Sequence, residues 1–203
     1  TFERKGKEQS IEADKVLMAV GRRPVVEGYG LENTTIEHDA RGIVVDDNMQ
    51  TNVPGVYAIG DVNARMMLAH AATMQGLHVV NHILGIPDNI RLDIMPAAIF
   101  TNPEAACVGK TEDQLKAEGV EIEVRKKMYR TNGRALAMNE AEGYIKLCVS
   151  ATDGLILSCH AFGAHSADIV QEVSALMCKN TTLHELHEMV HIHPTLGEML
   201  QEI

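Results

Sequence analysis

The 203-residue sequence has no Trp, three Phe and four Tyr, leaving aromatic residues at only 3%. It also lacks positive charge in excess: 18 Lys and Arg stand against 28 Asp and Glu, a formal net charge of −10 with ten His neutral. That balance disfavours nucleic acid and anionic membranes as partners, since both require a basic surface. No apolar run is long enough to span a bilayer, and the opening TFERKGKEQ has no signal-peptide pattern. The four cysteines (Cys107, Cys148, Cys159, Cys178) include no C-x-x-C pair, so the expectation is ordinary reduced thiols in a cytoplasmic protein rather than a zinc ribbon or a local redox disulfide. A complete phosphate-binding G-x-G-x-x-G is missing as well. What is present, 45% hydrophobic and 23% charged residues, suits a soluble globular protein of one or two domains.

Phe2-Glu3-Arg4, Lys5-Gly6-Lys7 and residues 10–13 look like a hairpin already under way, which suggests a piece of a longer polypeptide. Residues 15–20 (KVLMAV) form a short continuous apolar run, the mark of a strand buried on both faces, stopped by Gly21-Arg22-Arg23-Pro24. Residues 42–46 and 55–59 are two further β-type runs, the second ending at Gly60-Asp61. Residues 68–84 turn helical, closed by Gly85 and Pro87. A connector at 86–95 marks the main boundary.

Beyond it the pattern predicts strands at 97–101, 120–129, 143–150 and 155–162, the third alternating Ile145, Leu147, Val149. Thr111 with Gln114 and Thr182 with Glu185 are capping boxes opening two helices. Ser166 is expected to cap a third, whose apolar stripe is Ile169, Val170, Val173, Leu176 and Met177. In the helix after Thr182, Leu183, Leu186, Met189 and Val190 are expected inward. The second half therefore reads as an antiparallel sheet with helices grouped on it, an α+β layer.

Two catalytic signatures compete near the end. His187-Glu188-Met189-Val190-His191 fits the H-E-x-x-H of zinc hydrolases, in which two His four apart share a helical face. The helix's apolar stripe leaves His187 and Glu188 on the solvated side, however, and only twelve residues follow His191, too few for a distant third ligand. Two residues on, His193-Pro194 is followed by Glu198. As Thr195-x-x-Glu198 is itself a capping box, Glu198 could simply close a helix start in a non-catalytic interaction module. It could equally accept a hydrogen bond from His193, fix its tautomer and leave the other ring nitrogen free for a proton. The residues alone leave both readings open.

The order of motifs resembles the dihydrolipoamide dehydrogenase branch of the pyridine nucleotide–disulfide oxidoreductases. Val20-Gly21-Arg22-Arg23-Pro24, then TNVPGVYAIGD at 51–61, Met67-Leu68-Ala69-His70, AIFTNPE at 98–104, RALAM at 134–138 and HIHPTL at 191–196 carry it over essentially the whole chain. The resemblance implies a partial α/β FAD/NAD-binding segment followed by an α+β interface (dimerisation) domain. The expected division is the last hairpin and strand of the NAD domain at 1–22, the second FAD-domain segment at 23–95 and the dimerisation domain at 96–203.

By the same resemblance, Asp61 would take a flavin ribityl hydroxyl, Met67, Leu68, Ala69 and His70 would present a helix N-terminus to the flavin ring, and Gly21 would let the backbone approach NAD. His193 would be the acid–base acting on dihydrolipoamide, oriented by Glu198, and His191 supporting at best. The family's C-x-x-x-x-C disulfide does not occur here, so the piece is expected to be inactive alone, with weak or no flavin binding. The implied partners are a second copy, giving a homodimer in which each His reaches the partner's flavin and disulfide, and lipoyl-carrying proteins of 2-oxo acid dehydrogenase or glycine cleavage complexes.

Overall fold

Lys5 and Gly6, both at positive φ, turn the first hairpin, in which β1 (Phe2–Arg4) pairs antiparallel with β2 (Lys7–Gln9). The computed structural model describes residues 1–203 and divides them into two compact units, Thr1–Met66 and Met67–Ile203. In the first unit a second small hairpin joins β3 (His38–Asp39) to β4 (Gly42–Ile43). Ile43, Met49, Thr51, Ala58 and Asn63 are among the buried residues nearby, and the Asn63 amide donates to the Ala58 carbonyl.

The sequence overestimates strand content here. Residues 15–20 form no strand, and Val16, Leu17, Met18 and Val20 are exposed. An apolar run becomes a strand only when a neighbouring strand takes its N–H and C=O groups, and none in this unit pairs with it. Residues 42–46 shorten to the two-residue β4, and residues 55–59 to a single bridge between Gln50 and Tyr57. Asp61 consequently sits not at the end of a buried strand but in a 3-10 turn, Gly60–Asn63.

The second unit begins with α1 (Ala69–Leu84), which buries Ala71, Gln75 and Val79 at four-residue spacing and ends on Gly85 at positive φ. Then come β5 (Ala97–Ile99), β6 (Ala105–Gly109), α2 (Glu112–Ala117), β7 (Ile122–Met128), α3 (Gly133–Ala137), β8 (Gly143–Ser150), β9 (Ile156–Gly163), α4 (Ser166–Cys178), α5 (Leu183–Glu188) and α6 (Glu198–Gln201). The strands form one antiparallel sheet in the order β5-β6-β9-β8-β7. β6 has no counterpart in the sequence reading, because AACVG is short and follows a turn.

Ile145, Leu147 and Val149 alternate inward from β8, with Cys159 and Ala161 from β9 and Val108 from β6. Ile169, Val170, Val173 and Met177 of α4 close over them, joined by Leu186, Met199 and Leu200. Each fully buried aliphatic side chain here contributes on the order of 2 kcal/mol. One of the two edges, β7, carries exposed Arg125 and Lys126, charges that oppose pairing with another edge.

Both predicted capping boxes form, at Thr111 with Gln114 and Thr182 with Glu185. Ser166 does not cap α4. It is the first helical residue, and its hydroxyl donates to the Gly163 carbonyl, while Glu104 accepts from the Ala167 N–H. No helix is long and apolar enough to cross a membrane.

Candidate active site

α5 stops at Glu188 because Met189 turns to extended backbone (φ −78°, ψ 133°). Met189 still packs against the core, but the chain then alternates, with Val190 95% exposed and Ile192 79% exposed on either side of an inward His191. The inward placement expected of Val190 is therefore wrong, since the helix that would have carried it inward has already ended. At the far end, buried Leu196, Met199 and Leu200 anchor the start of α6. Between these anchors the Thr195 hydroxyl donates to the Ile192 carbonyl at 2.6 Å. The buried Asn132, whose Oδ1 caps α3, donates its amide to the Thr195 carbonyl at 3.0 Å. The loop is thus tied down at both ends and once in the middle.

On this loop the His193 side chain is 83% exposed and its Nδ1 lies 2.8 Å from Glu198 Oε1. The His193–Pro194 peptide is cis. Glu198 Oε2 accepts the Thr195 N–H at 2.7 Å. The two readings of Glu198, helix closure and histidine orientation, are therefore compatible, because each uses its own carboxylate oxygen. Only half of a capping box forms, as the Thr195 hydroxyl is turned to Ile192. The Thr195 N–H, and then His193, hold the Glu198 carboxyl below the usual carboxylate range. The ring is left with an outward Nε2 beside an ionised carboxylate, a geometry suited to accepting a proton there.

His191, two residues earlier, turns inward. Its side chain is 9% exposed, with Nε2 at 2.9 Å from Glu172 Oε1 on α4 and Nδ1 at 3.1 Å from the Met189 carbonyl. Glu172 and Asn132 stand outside every motif, 19 and 59 residues ahead of His191, and only packing brings them in. A cleft of about 390 Å³ beside the loop is lined by Arg134, His165, Asp168, Glu172, Thr195 and Gly197, among others.

The zinc geometry does not form. With α5 ending at Glu188, His187 and His191 share no helical face; His187 Nε2 lies 3.2 Å from the Ile203 carbonyl while His191 is engaged by Glu172. The core thiols are not exposed nucleophiles: burial pushes Cys159 up to about 12, and Cys148 is buried too.

The residues assigned to the cofactors belong to different units. In the first, Asp61 is half-exposed and its Oδ2 is engaged by the Arg22 guanidinium. Gly21 lies at φ +100°, a conformation that strains any side chain, with open space where a Cβ would point. In the second, Leu68 is the N-cap of α1 in extended backbone and Met67 precedes it; no side chain caps the helix that Ala69 and His70 begin. His70 Nε2 lies 2.8 Å from the Pro96 carbonyl, fastening the residue just before β5 to α1. A carboxylate on a turn fits a hydroxyl-bearing group, and an uncapped helix N-terminus fits an electron-rich ring edge.

Residues 95–203 match the family model described as pyridine nucleotide-disulphide oxidoreductase, dimerisation domain, and residues 3–76 match that of pyridine nucleotide-disulphide oxidoreductase. A dihydrolipoyl dehydrogenase of Bacillus subtilis is 42% identical over 100% of this chain and 43% of its own length. The mitochondrial dihydrolipoyl dehydrogenase of Caenorhabditis elegans is 39% identical over 97% of this chain and 40% of its own. Among solved structures, LpdA from Mycobacterium tuberculosis superposes with a TM-score of 0.84 at 28% identity, covering 92% of this chain and 41% of that one. The HOCl-induced flavoprotein disulfide reductase RclA from Escherichia coli gives 0.80 at 25% identity, covering 91% and 43%. The chain spans less than half the length of the curated relatives it matches. It belongs to the pyridine nucleotide–disulphide oxidoreductase family, with the family's dimerisation domain in residues 95–203.

Proposed function

We propose that this chain supplies the acid–base pair and the dimer surface of a dihydrolipoamide dehydrogenase, which oxidises protein-bound dihydrolipoyl groups to lipoyl with reduction of NAD. The observation that carries the reading is His193, outward and held by Glu198 through one ring nitrogen only. A thiol near its ordinary pKa of about 8.5 is mostly protonated at neutral pH and must lose its proton to become a nucleophile. His193 Nε2 takes that proton from a dihydrolipoyl thiol, and Glu198 stabilises the resulting imidazolium through Nδ1–H. The freed thiolate is then able to attack a disulfide of the partner subunit, forming a mixed disulfide as the partner's S–S bond breaks and one of its cysteines leaves as thiolate. FAD, when bound, supplies the electron path between the dithiol and the nicotinamide.

Under this reading Asp61 accepts a hydroxyl of the flavin's ribityl chain. Met67, Leu68, Ala69 and His70 place the start of α1 at the ring, and Gly21 borders NAD. Residues 1–22 close the NAD domain, 23–95 are the second segment of the FAD domain and 96–203 form the interface domain of a homodimer. The lipoyl group arrives on a carrier protein of a 2-oxo acid dehydrogenase or glycine cleavage complex. The 203 residues alone, having no C-x-x-x-x-C, turn over no lipoamide and hold flavin weakly or not at all; a stable flavin absorption band in the purified chain would contradict this.

The test is His193→Gln in the enzyme carrying both halves. General acid–base catalysis is worth roughly 10²–10⁴-fold, and a fall of that size in lipoamide turnover is expected. Near-normal turnover would leave Glu198 with its capping role alone.

A further inference from the structure

Of residues 190–193 only His191 turns inward, and it spans three elements. Nε2 reaches Glu172 on α4, Nδ1 faces the Met189 carbonyl at the end of α5, and the ring edge lies against Gly197, the N-cap of α6, where a Cβ would stand 3.5 Å from Cδ2. Its neighbours Val190 and Ile192 bury little, so they do not hold the backbone. Downstream, the Thr195 hydroxyl is bonded to the Ile192 carbonyl and the Thr195 N–H to Glu198, the carboxylate that holds His193. Moving the backbone at 191–192 therefore displaces Thr195 and Glu198 together.

The geometry points to His191 as a positioning residue, braced by Glu172, that keeps the His193 ring on Glu198 with Nε2 outward. This rests on the reading of His193 as the acid–base. The two carboxylates facing this segment then divide the work: Glu172 fixes the backbone and Glu198 fixes the ring. Glu172 is 40% exposed on the outer side of α4, so replacing it leaves the buried core of the sheet untouched.

The test reads the His193 ring itself. Long-range ¹⁵N–¹H spectra of the ¹⁵N-labelled 203-residue chain, at a pH where imidazole is neutral, report which nitrogen carries the proton. In the parent, His193 is expected chiefly as the Nδ1–H tautomer, and His191 with its Nε2 proton protected by Glu172. In Glu172→Ala and His191→Phe, the His193 tautomer ratio should shift toward that of a free imidazole by roughly tenfold, the scale of one hydrogen bond to a charged group. Glu172→Gln keeps an acceptor at the same reach and should restore the parent ratio, which a merely structural contribution to stability would not do. An unchanged ratio in both disrupting variants overturns the inference. So does a parent chain in which the His191 Nε2 proton is unprotected, and that measurement needs no variant to fold. Turnover surviving His193→Gln would sink the acid–base reading while leaving this coupling intact, so the two failures are distinguishable.

Discussion

Glu198 and His193 share one short contact, Oε1 to Nδ1 at 2.8 Å, and they differ sharply in exposure, with the carboxylate 17% and the imidazole 83% accessible. The carboxylate is sheltered and the imidazole is not. That arrangement keeps the carboxylate inside the loop and leaves the far side of the ring open to solvent, as the proposed proton transfer requires.

Because the Thr195 N–H lowers the Glu198 carboxyl, the tie stays ionised through the ordinary carboxylate range and lets go only when pH falls through the depressed value. Hydrogen exchange of the Thr195 amide, corrected for intrinsic rates, should show protection at neutral pH that persists into mild acid and then disappears. Glu198→Ala should abolish that protection at every pH.

His160 lies on the sheet face opposite the core, and its Nδ1 is buried without a partner. Burial, and then Lys146, lower its titration below the usual imidazole range. The neutral ring is thus favoured by folding, so its contribution is present above that range and is lost as pH falls through the lowered value. Urea midpoints at neutral and mildly acid pH should differ less in His160→Gln than in the parent.

Leu186 is fully buried in the core cluster that also holds Met199 and Leu200. Leu186→Ala should cost about 2–5 kcal/mol in urea unfolding, the range for emptying a core leucine site. Val190→Asp, four residues on and 95% exposed, should change the stability of the isolated fold by no more than about 0.5 kcal/mol.

Val190 and Ile192 nevertheless present two unshielded aliphatic side chains on a braced loop. If this surface meets a second copy, Val190→Asp with Ile192→Asp should shift the chain from dimer toward monomer in sedimentation velocity, with far-ultraviolet circular dichroism unchanged. A dimer of undiminished affinity would place the interface elsewhere on residues 96–203.

Local rules carried the helices well. The Thr111 and Thr182 capping boxes, the Gly85 stop and the α4 stripe through Ile169, Val170, Val173 and Met177 are all present, because each depends on residues three or four apart along one turn of backbone. Strands were harder. Residues 15–20 have the composition of a buried strand and lie exposed, whereas AACVG at 105–109 has little strand character and sits mid-sheet between β5 and β9. Strand formation is decided by a neighbour's hydrogen bonds, and neighbours lie far off in sequence. The end of α5 differs for a related reason: apolar Val190 continues the helical period, but the extended chain brings His191 to Glu172 on α4.

At the site, the sequence by itself determined the two residues that make contact at short range, since Glu198 lies five positions after His193 and one helix start brings them together. Tertiary structure alone decided that Glu172 braces His191 and that Asn132 ties down Thr195. Those contacts join α3, α4 and the final loop across a shared core, and no spacing rule links groups that meet only once a sheet has been covered.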